Sequence, residues 1–219
     1  MITKTSYYGN PFVGLYVYSD NNFTFVPVNF QDKHFKDMSV LKTEVMKATM
    51  AGCELLGLYM DGNSSGVILP YLAEEKEVHM LKQLGYNIYI SQDKNNAIGN
   101  NLAVNDKGGI VNPDIPANEI KNMQDVLGVE LVPMTVMGYE TVGTVCKVTN
   151  KGFIVHNDAD DDCLAKLEKI FGVKGINATV NMGSPLVRLG VVANDKGIVM
   201  GENTSGVEVQ RVSEGLDIM

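Results

Sequence analysis

Three cysteines, three histidines and one dense run of aspartates are the residues of this 219-residue chain that could catalyse a reaction or hold a metal. Cys53, Cys146 and Cys163 are an odd number at irregular spacing. That is neither a disulfide framework nor a zinc pattern, because both need clustered ligands. A cysteine nucleophile needs its thiolate held beside an imidazole. Cys53 and Cys146 lie in or beside apolar strand-like segments, where a buried inert thiol is expected, and Cys163 falls in the first turn of a predicted helix. His34, His79 and His156 fall in different segments and read as surface or packing residues. Asp158, Asp160, Asp161 and Asp162 precede the same helix as Cys163, where acids cap free N–H groups and complement the helix dipole. No glutamate follows them at calcium-loop spacing. No phosphate-loop or dinucleotide fingerprint is present. The expectation is a protein with no catalytic residue, no metal and no cofactor.

Composition narrows the partners. A formal net charge of −8 argues against a chain that works by neutralising phosphates, since such proteins carry a basic face. No DNA partner is expected, and a basic protein surface suits it better. Hydrophobic residues make up 45% and charged residues 20%, as in an ordinary globular protein. No apolar run approaches the roughly 18–20 residues of a membrane span, and Met1-Ile2-Thr3-Lys4 opens no signal peptide. A cytoplasmic protein away from membranes is expected. Arginine is confined to Arg188 and Arg211, which argues against a hyperthermophilic source.

The elements that must position any site come from an internal repeat. An apolar residue followed by glycine recurs at Val13-Gly14, Leu56-Gly57, Ile98-Gly99, Val142-Gly143 and Leu189-Gly190, with gaps of 43, 42, 44 and 47 residues between the glycines. Each anchor glycine opens a strand-like stretch, from Leu15, Leu58, Leu102, Thr144 and Val191. A turn follows each, clearest at Asn105-Asp106-Lys107-Gly108, Thr149-Asn150-Lys151-Gly152 and Asn194-Asp195-Lys196-Gly197. The closing glycine is expected at φ > 0. The last hairpin reads as shortened by two residues, a change that keeps each side chain on its face. Return strands are predicted at Phe25–Pro27, Val67–Pro70, Ile110–Pro113, Phe153–His156 and Ile198–Met200. Helices are predicted from the triads Met38/Leu41/Val45, Val78/Leu81/Leu84, Ile120/Met123/Leu127, Leu164/Leu167/Phe171 and Val209/Val212/Leu216. Gly85, Gly128 and Gly172 stand where a C′ glycine ends a helix. A further strand follows each helix except the last, and Ile2–Tyr7 is predicted to supply that one. The reading is an α/β fold of ββαβ units: one domain over residues 1–219, five repeats of about 44 residues closed into a five-bladed α/β propeller by the N-terminal strand.

Met50-Ala51-Gly52-Cys53 with Leu55-Leu56-Gly57, Gly66–Pro70, Ala97-Ile98-Gly99-Asn100 with Asn105–Gly108, Thr141-Val142-Gly143 and Val191–Asp195 occur in that order. Through them the chain resembles the translation initiation factor 6 family, in its archaeal form, over its whole length. The resemblance implies a pentein fold and binding without catalysis. It implies a monomer that sits on the large (50S) ribosomal subunit, against ribosomal proteins near the sarcin–ricin loop, and excludes the small subunit. By matching motif, Gly14, Gly57, Leu58, Gly99 and Asn100 should lie on the end of the ring where loops lead into the anchor glycines. Pseudo-symmetry extends this to Thr144 and Val191. Arg188 departs from an otherwise uncharged rim and receives no role. The competing reading within that fold is an enzyme modifying guanidino groups through a cysteine, a histidine and carboxylates. Such enzymes place the cysteine in the last blade, and here no cysteine follows Cys163.

Overall fold

The computed structural model describes residues 1–218 and is a mixed α/β fold with five three-stranded sheets. The chain opens with β1 (Ile2–Thr5). The first unit holds a 3-10 turn (Val13–Leu15), β2 (Tyr18–Ser19), β3 (Phe23–Pro27), α1 (Asp32–Met38), a second 3-10 turn (Ser39–Leu41) and β4 (Glu44–Ala48). The second holds α2 (Leu56–Tyr59), β5 (Asp61–Gly62), β6 (Val67–Pro70), α3 (Glu75–Gln83) and β7 (Ile88–Ser91). The third holds α4 (Ile98–Asn101), β8 (Leu102–Val104), β9 (Gly109–Val111), α5 (Ala117–Leu127) and β10 (Leu131–Pro133). The fourth holds α6 (Val142–Val145), β11 (Cys146–Val148), β12 (Phe153–His156), α7 (Asp161–Phe171) and β13 (Gly175–Ala178). The fifth holds β14 (Val191–Ala193), β15 (Ile198–Gly201) and α8 (Gly206–Gly215).

In each sheet the return strand is central. It runs antiparallel to the strand before it and parallel to the strand after the helix, as in β2–β3–β4. Central strands are buried on both faces and read as unbroken apolar runs; Val67, Ile68 and Leu69 are all fully buried. In the fifth sheet the parallel partner is β1, with Ile2 opposite Ile198 and Thr5 opposite Gly201. The strand that the fifth unit lacks is thus supplied by the N-terminus.

Five apolar cores lie between consecutive units. Tyr18 and Phe25 of the first unit pack with Leu56 and Leu69 of the second, and Ala103 and Ile110 of the third pack with Val142 and Phe153 of the fourth. The last core joins Val192 and Val199 of the fifth unit to Val13, Val26 and Met38 of the first. No strand pairing links one sheet to another among the described residues.

Several expectations need correction. Gly14, Gly57, Gly99 and Gly143 do not open strands directly but sit in single helical turns. The first strand therefore begins later than predicted in the first, second and fourth units, at Tyr18, Asp61 and Cys146, while it begins at Leu102 and Val191 as expected in the third and fifth. The fifth hairpin is not shortened. Tyr18 faces Phe25, Asp61 faces Ile68, Ala103 faces Ile110, Lys147 faces Ile154 and Val192 faces Val199 on one equivalent rung. Counting back four residues from that rung lands on Gly14, Gly57, Gly99, Gly143 and Arg188. The fifth anchor is therefore Arg188 rather than Gly190. In the first unit the helix ends at Met38, Leu41 closes a 3-10 turn and Val45 lies in β4. The turn glycines are not at positive φ. A Cβ on Gly66, Gly108, Gly152 or Gly197 would instead strike the helix end, or the turn that follows it, in the next unit around, Gly197 meeting Val40 of the first. The helix-ending glycines do adopt the left-handed region, Gly85 at φ 89°, Gly128 at 69° and Gly172 at 63°.

Candidate functional site

Return strands run away from the hairpin turns, so all five long helices begin at the opposite end, where the anchors lie. The anchors meet through backbone. A Cβ on Gly57 would overlap the Gly14 carbonyl oxygen, one on Gly99 that of Gly57, one on Gly143 that of Gly99, and one on Gly14 that of Arg188. Only glycine permits this approach. Arg188, in the fifth place, sends its side chain to the second unit. Its Nη1 donates to Asp61 Oδ2 at 2.7 Å, with both side chains 6% exposed, and its Nη2 donates to the Gly57 carbonyl at 3.3 Å. Its charge is buried and paired, so it adds none to the rim.

Beside this pair a cavity of about 50 Å³ is lined by Asp61, Lys147 and Arg188 and by turn residues such as Asn105 and Asn194. That is room for a few waters. Burial pulls the Lys147 ammonium down to about 8, and the Arg188 guanidinium adds to the effect. Amides in the turns stitch neighbours together: Asn105 Nδ2 donates to the Thr149 and Phe171 carbonyls at 3.0 Å, and Asn194 Nδ2 to the Asp20 carbonyl at 2.8 Å.

At the anchor end the predicted residues divide. Gly14, Gly57 and Gly99 are buried backbone, whereas Leu58 and Asn100 are half-exposed. Thr144 is 7% exposed and its hydroxyl donates to the Thr141 carbonyl at 2.7 Å. Val191 is 2% exposed and belongs to an apolar core. Neither side chain is available to a partner. With Arg188 as the fifth anchor, the residue equivalent to Asn100 is Leu189, and that of the first unit is Leu15; both are half-exposed. The Asn100 amide oxygen is shielded from solvent and has no hydrogen-bond partner, an uncommon state for a buried acceptor.

Two features of this end escaped the sequence reading. Tight turns precede four of the anchors, bridged at Tyr7–Asn10, Met50–Cys53, Val136–Tyr139 and Val180–Ser184. All four carry a non-glycine residue at positive φ just before a glycine: Tyr8, Ala51, Met137 and Met182. The glycines at 9, 52, 138 and 183 each stand five places before an anchor and were the available signal. Buried carboxylates three residues into the helices clasp such loops: Glu208 accepts from Gly183 N–H at 2.8 Å and from the Thr179 hydroxyl at 2.9 Å.

Among the described residues no hydrogen bond joins a cysteine to a histidine. Burial raises the Cys146 and Cys163 thiols above their ordinary range, which suppresses thiolate. Cys53 donates to the Met50 carbonyl. The Asp160 carboxylate caps α7 by accepting from Cys163 N–H at 2.9 Å. His34 Nδ1 meets both Thr5 Oγ1 and Asp37 through one nitrogen, which is not a nucleophile–base–acid relay. Among the described residues no group of three or more histidines, cysteines and carboxylates is gathered to hold a metal, and no helix is long and apolar enough to cross a membrane.

The profile of the eIF-6 family matches residues 2–215. Translation initiation factor 6 of Staphylothermus marinus is 36% identical over 98% of this chain and 97% of its own length. That of Pyrobaculum aerophilum is 35% identical over 98% of each. That of Picrophilus torridus is 34% identical over 99% of this chain and all of the relative. The profile and these relatives cover nearly the whole chain, and the chain belongs to the eIF-6 family of translation factors.

Proposed function

We propose that this chain is a ribosome anti-association factor that docks by its anchor end on the large ribosomal subunit and excludes the small one. Its five sheets are the blades of a closed propeller of the pentein kind, one domain whose ring is completed by β1. The partners are basic ribosomal proteins near the sarcin–ricin loop, the location is cytoplasmic, and no reaction is catalysed. The observation that carries the reading is an uncharged, half-exposed collar of Leu15, Leu58, Asn100 and Leu189, set among acidic loops. Exposed acids stand at the helix starts of every unit: Asp32, Glu74 with Glu75, Asp114, Asp158 with Asp160 to Asp162, and Glu202. Helix capping accounts for some of them. Their excess over Lys33 and Lys76 also favours approach to a basic surface.

The backbone-to-backbone packing of the anchors supports a rigid platform, which lowers the ordering cost of docking. A stable interface needs about 1,200–2,000 Å² in total, within reach of one end of a molecule this size. The guanidino-enzyme reading finds little support, because the buried guanidinium is the chain's own Arg188, paired with Asp61, and burial raises the Cys146 thiol. The test is sedimentation with separated ribosomal subunits. Wild type should travel with the large subunit only and block reassociation, and Asn100→Arg should travel less without a lower melting temperature. Binding to the small subunit, or to neither, would overturn the proposal.

A further inference from the structure

In three units the third residue of the helix is a buried glutamate that reaches the loop closing the preceding unit. Glu77 accepts from Ala51 N–H at 2.9 Å and Gly52 N–H at 3.1 Å. Glu208 accepts from Met182 N–H at 3.2 Å as well as from Gly183, and Glu119 accepts from Gln92 N–H at 3.1 Å. In the fourth unit the third helical residue is Cys163. It packs instead against the apolar core that holds Val136 and Ala159. The turn Val136–Tyr139 repeats the backbone of Met50–Cys53, with Met137 at φ 48° and Gly138 at 82° against Ala51 at 55° and Gly52 at 68°. Yet the N–H groups of Met137 and Gly138 have no acceptor among the described residues.

The surroundings say what acceptor would fit. Met137 is 41% and Tyr139 37% exposed, two apolar surfaces on one turn. The Tyr139 ring lies 5.3 Å from that of His156, whose Nδ1 accepts from Asp158 N–H at 3.1 Å, and Asp160, Asp161 and Asp162 follow in the same segment. All four aspartates are exposed, and none is in an ion pair among the described residues. Four carboxylates exclude an anionic ligand and favour a cationic one. A neutral peptide carbonyl can still take the free N–H groups. The turn Tyr7–Asn10 shares the free pair, but its helix begins Asp32-Lys33-His34 and offers no such field.

We propose that this joint binds an extended basic peptide segment of a protein partner. A backbone carbonyl of the segment accepts from Met137 and Gly138, an apolar side chain lies on Met137 and Tyr139, and lysines or arginines face Asp158, Asp161 and Asp162. The inference rests on the docking reading in that the joint lies at the anchor end, and it names the chemistry of one contact there.

The experiment is an amide NMR titration of the full chain with an acetylated, amidated heptapeptide of alternating lysine and leucine, and with its glutamate counterpart. The lysine peptide alone should shift the amides of residues 136–139 and 157–163 saturably. The effect should weaken about five-fold in the triple variant Asp158→Asn, Asp161→Asn, Asp162→Asn. Cys163→Glu installs the carboxylate found in three of the other units. It should move the Met137 and Gly138 amides without peptide and lower the affinity about five-fold. Shifts centred elsewhere, equal action by both peptides, or triple and Cys163→Glu variants that bind like wild type would overturn the proposal. Subunit sedimentation run alongside separates the two readings. A triple variant that still sediments fully sinks this contact and spares the docking reading, whereas a wild type that never sediments sinks docking and leaves the titration to decide.

Discussion

Replacing Arg188 by leucine removes a buried guanidinium and leaves Asp61, 6% exposed, without its partner at 2.7 Å. Breaking a buried pair from one side costs about 3–5 kcal/mol, because an uncompensated charge remains in low dielectric. The lost bonds to the Gly57 and Met60 carbonyls, at 3.3 and 3.5 Å, are long and add little. At about 2–4 °C per kcal/mol for a domain of this size, the melting temperature should fall by roughly 6–20 °C. Asp61→Leu alone should cost a similar amount. The double variant Arg188→Leu with Asp61→Leu replaces both charges by apolar groups and should recover to within about 2 kcal/mol of wild type. Urea and thermal unfolding followed by circular dichroism at neutral pH would complete the cycle. A loss below about 1 kcal/mol for Arg188→Leu, or a double variant as unstable as the sum of the singles, would refute the assignment of Arg188 as the fifth anchor's buried counter-charge.

Gly57→Ala should destabilise by about 1–3 kcal/mol, read as a lower urea midpoint, since the added methyl meets backbone and not a movable side chain. Gly206→Ala, with open space around its Cβ, is the control and should be neutral or better. For Lys147, the folded value of about 8 lies below the ordinary lysine value near 10.4. The unfolded chain therefore binds more protons across that window, and stability should rise with pH between them. Lys147→Met should abolish the slope in pH-dependent melting and stabilise the protein below pH 8 by at most about 3 kcal/mol. Burial alone would raise the Glu208 carboxyl, but bonds from Ser205, Gly183 and Thr179 more than offset it and hold the group below its ordinary value. Its stabilisation is therefore present above the unfolded value and lost as pH falls through the folded one. Glu208→Gln should be less stable at neutral pH and show a shallower acid transition by the same melting assay.

Much of the fold was legible because it is written in local periodicity. Val67–Leu69 is a continuous apolar run and becomes a central strand. Ile120, Met123 and Leu127 recur at helical spacing and become one buried helix face, and Gly128 ends that helix in the left-handed region, as its position implied. The site was less legible. Leu58 and Asn100 emerged half-exposed at the anchor end, but Thr144 and Val191 proved buried, Val191 because the fifth anchor was misplaced by two residues. The correct register was within reach. Gly183 stands before Arg188 as Gly138 stands before Gly143, and the helix residue Val209 then falls the same distance from its anchor as Leu164 does.

The amino-acid order by itself determined five units, their strands and helices, and the family, since these depend on neighbours a few residues apart and on motifs in sequence. Tertiary structure alone decided why particular residues stand where they do. The turn glycines serve a neighbouring unit rather than their own dihedrals, Arg188 answers a carboxylate 127 residues away, and Cys163 frees two N–H groups in a turn of the preceding unit. Steric exclusion and charge compensation act between atoms that folding brings together, and chain spacing carries no record of those distances.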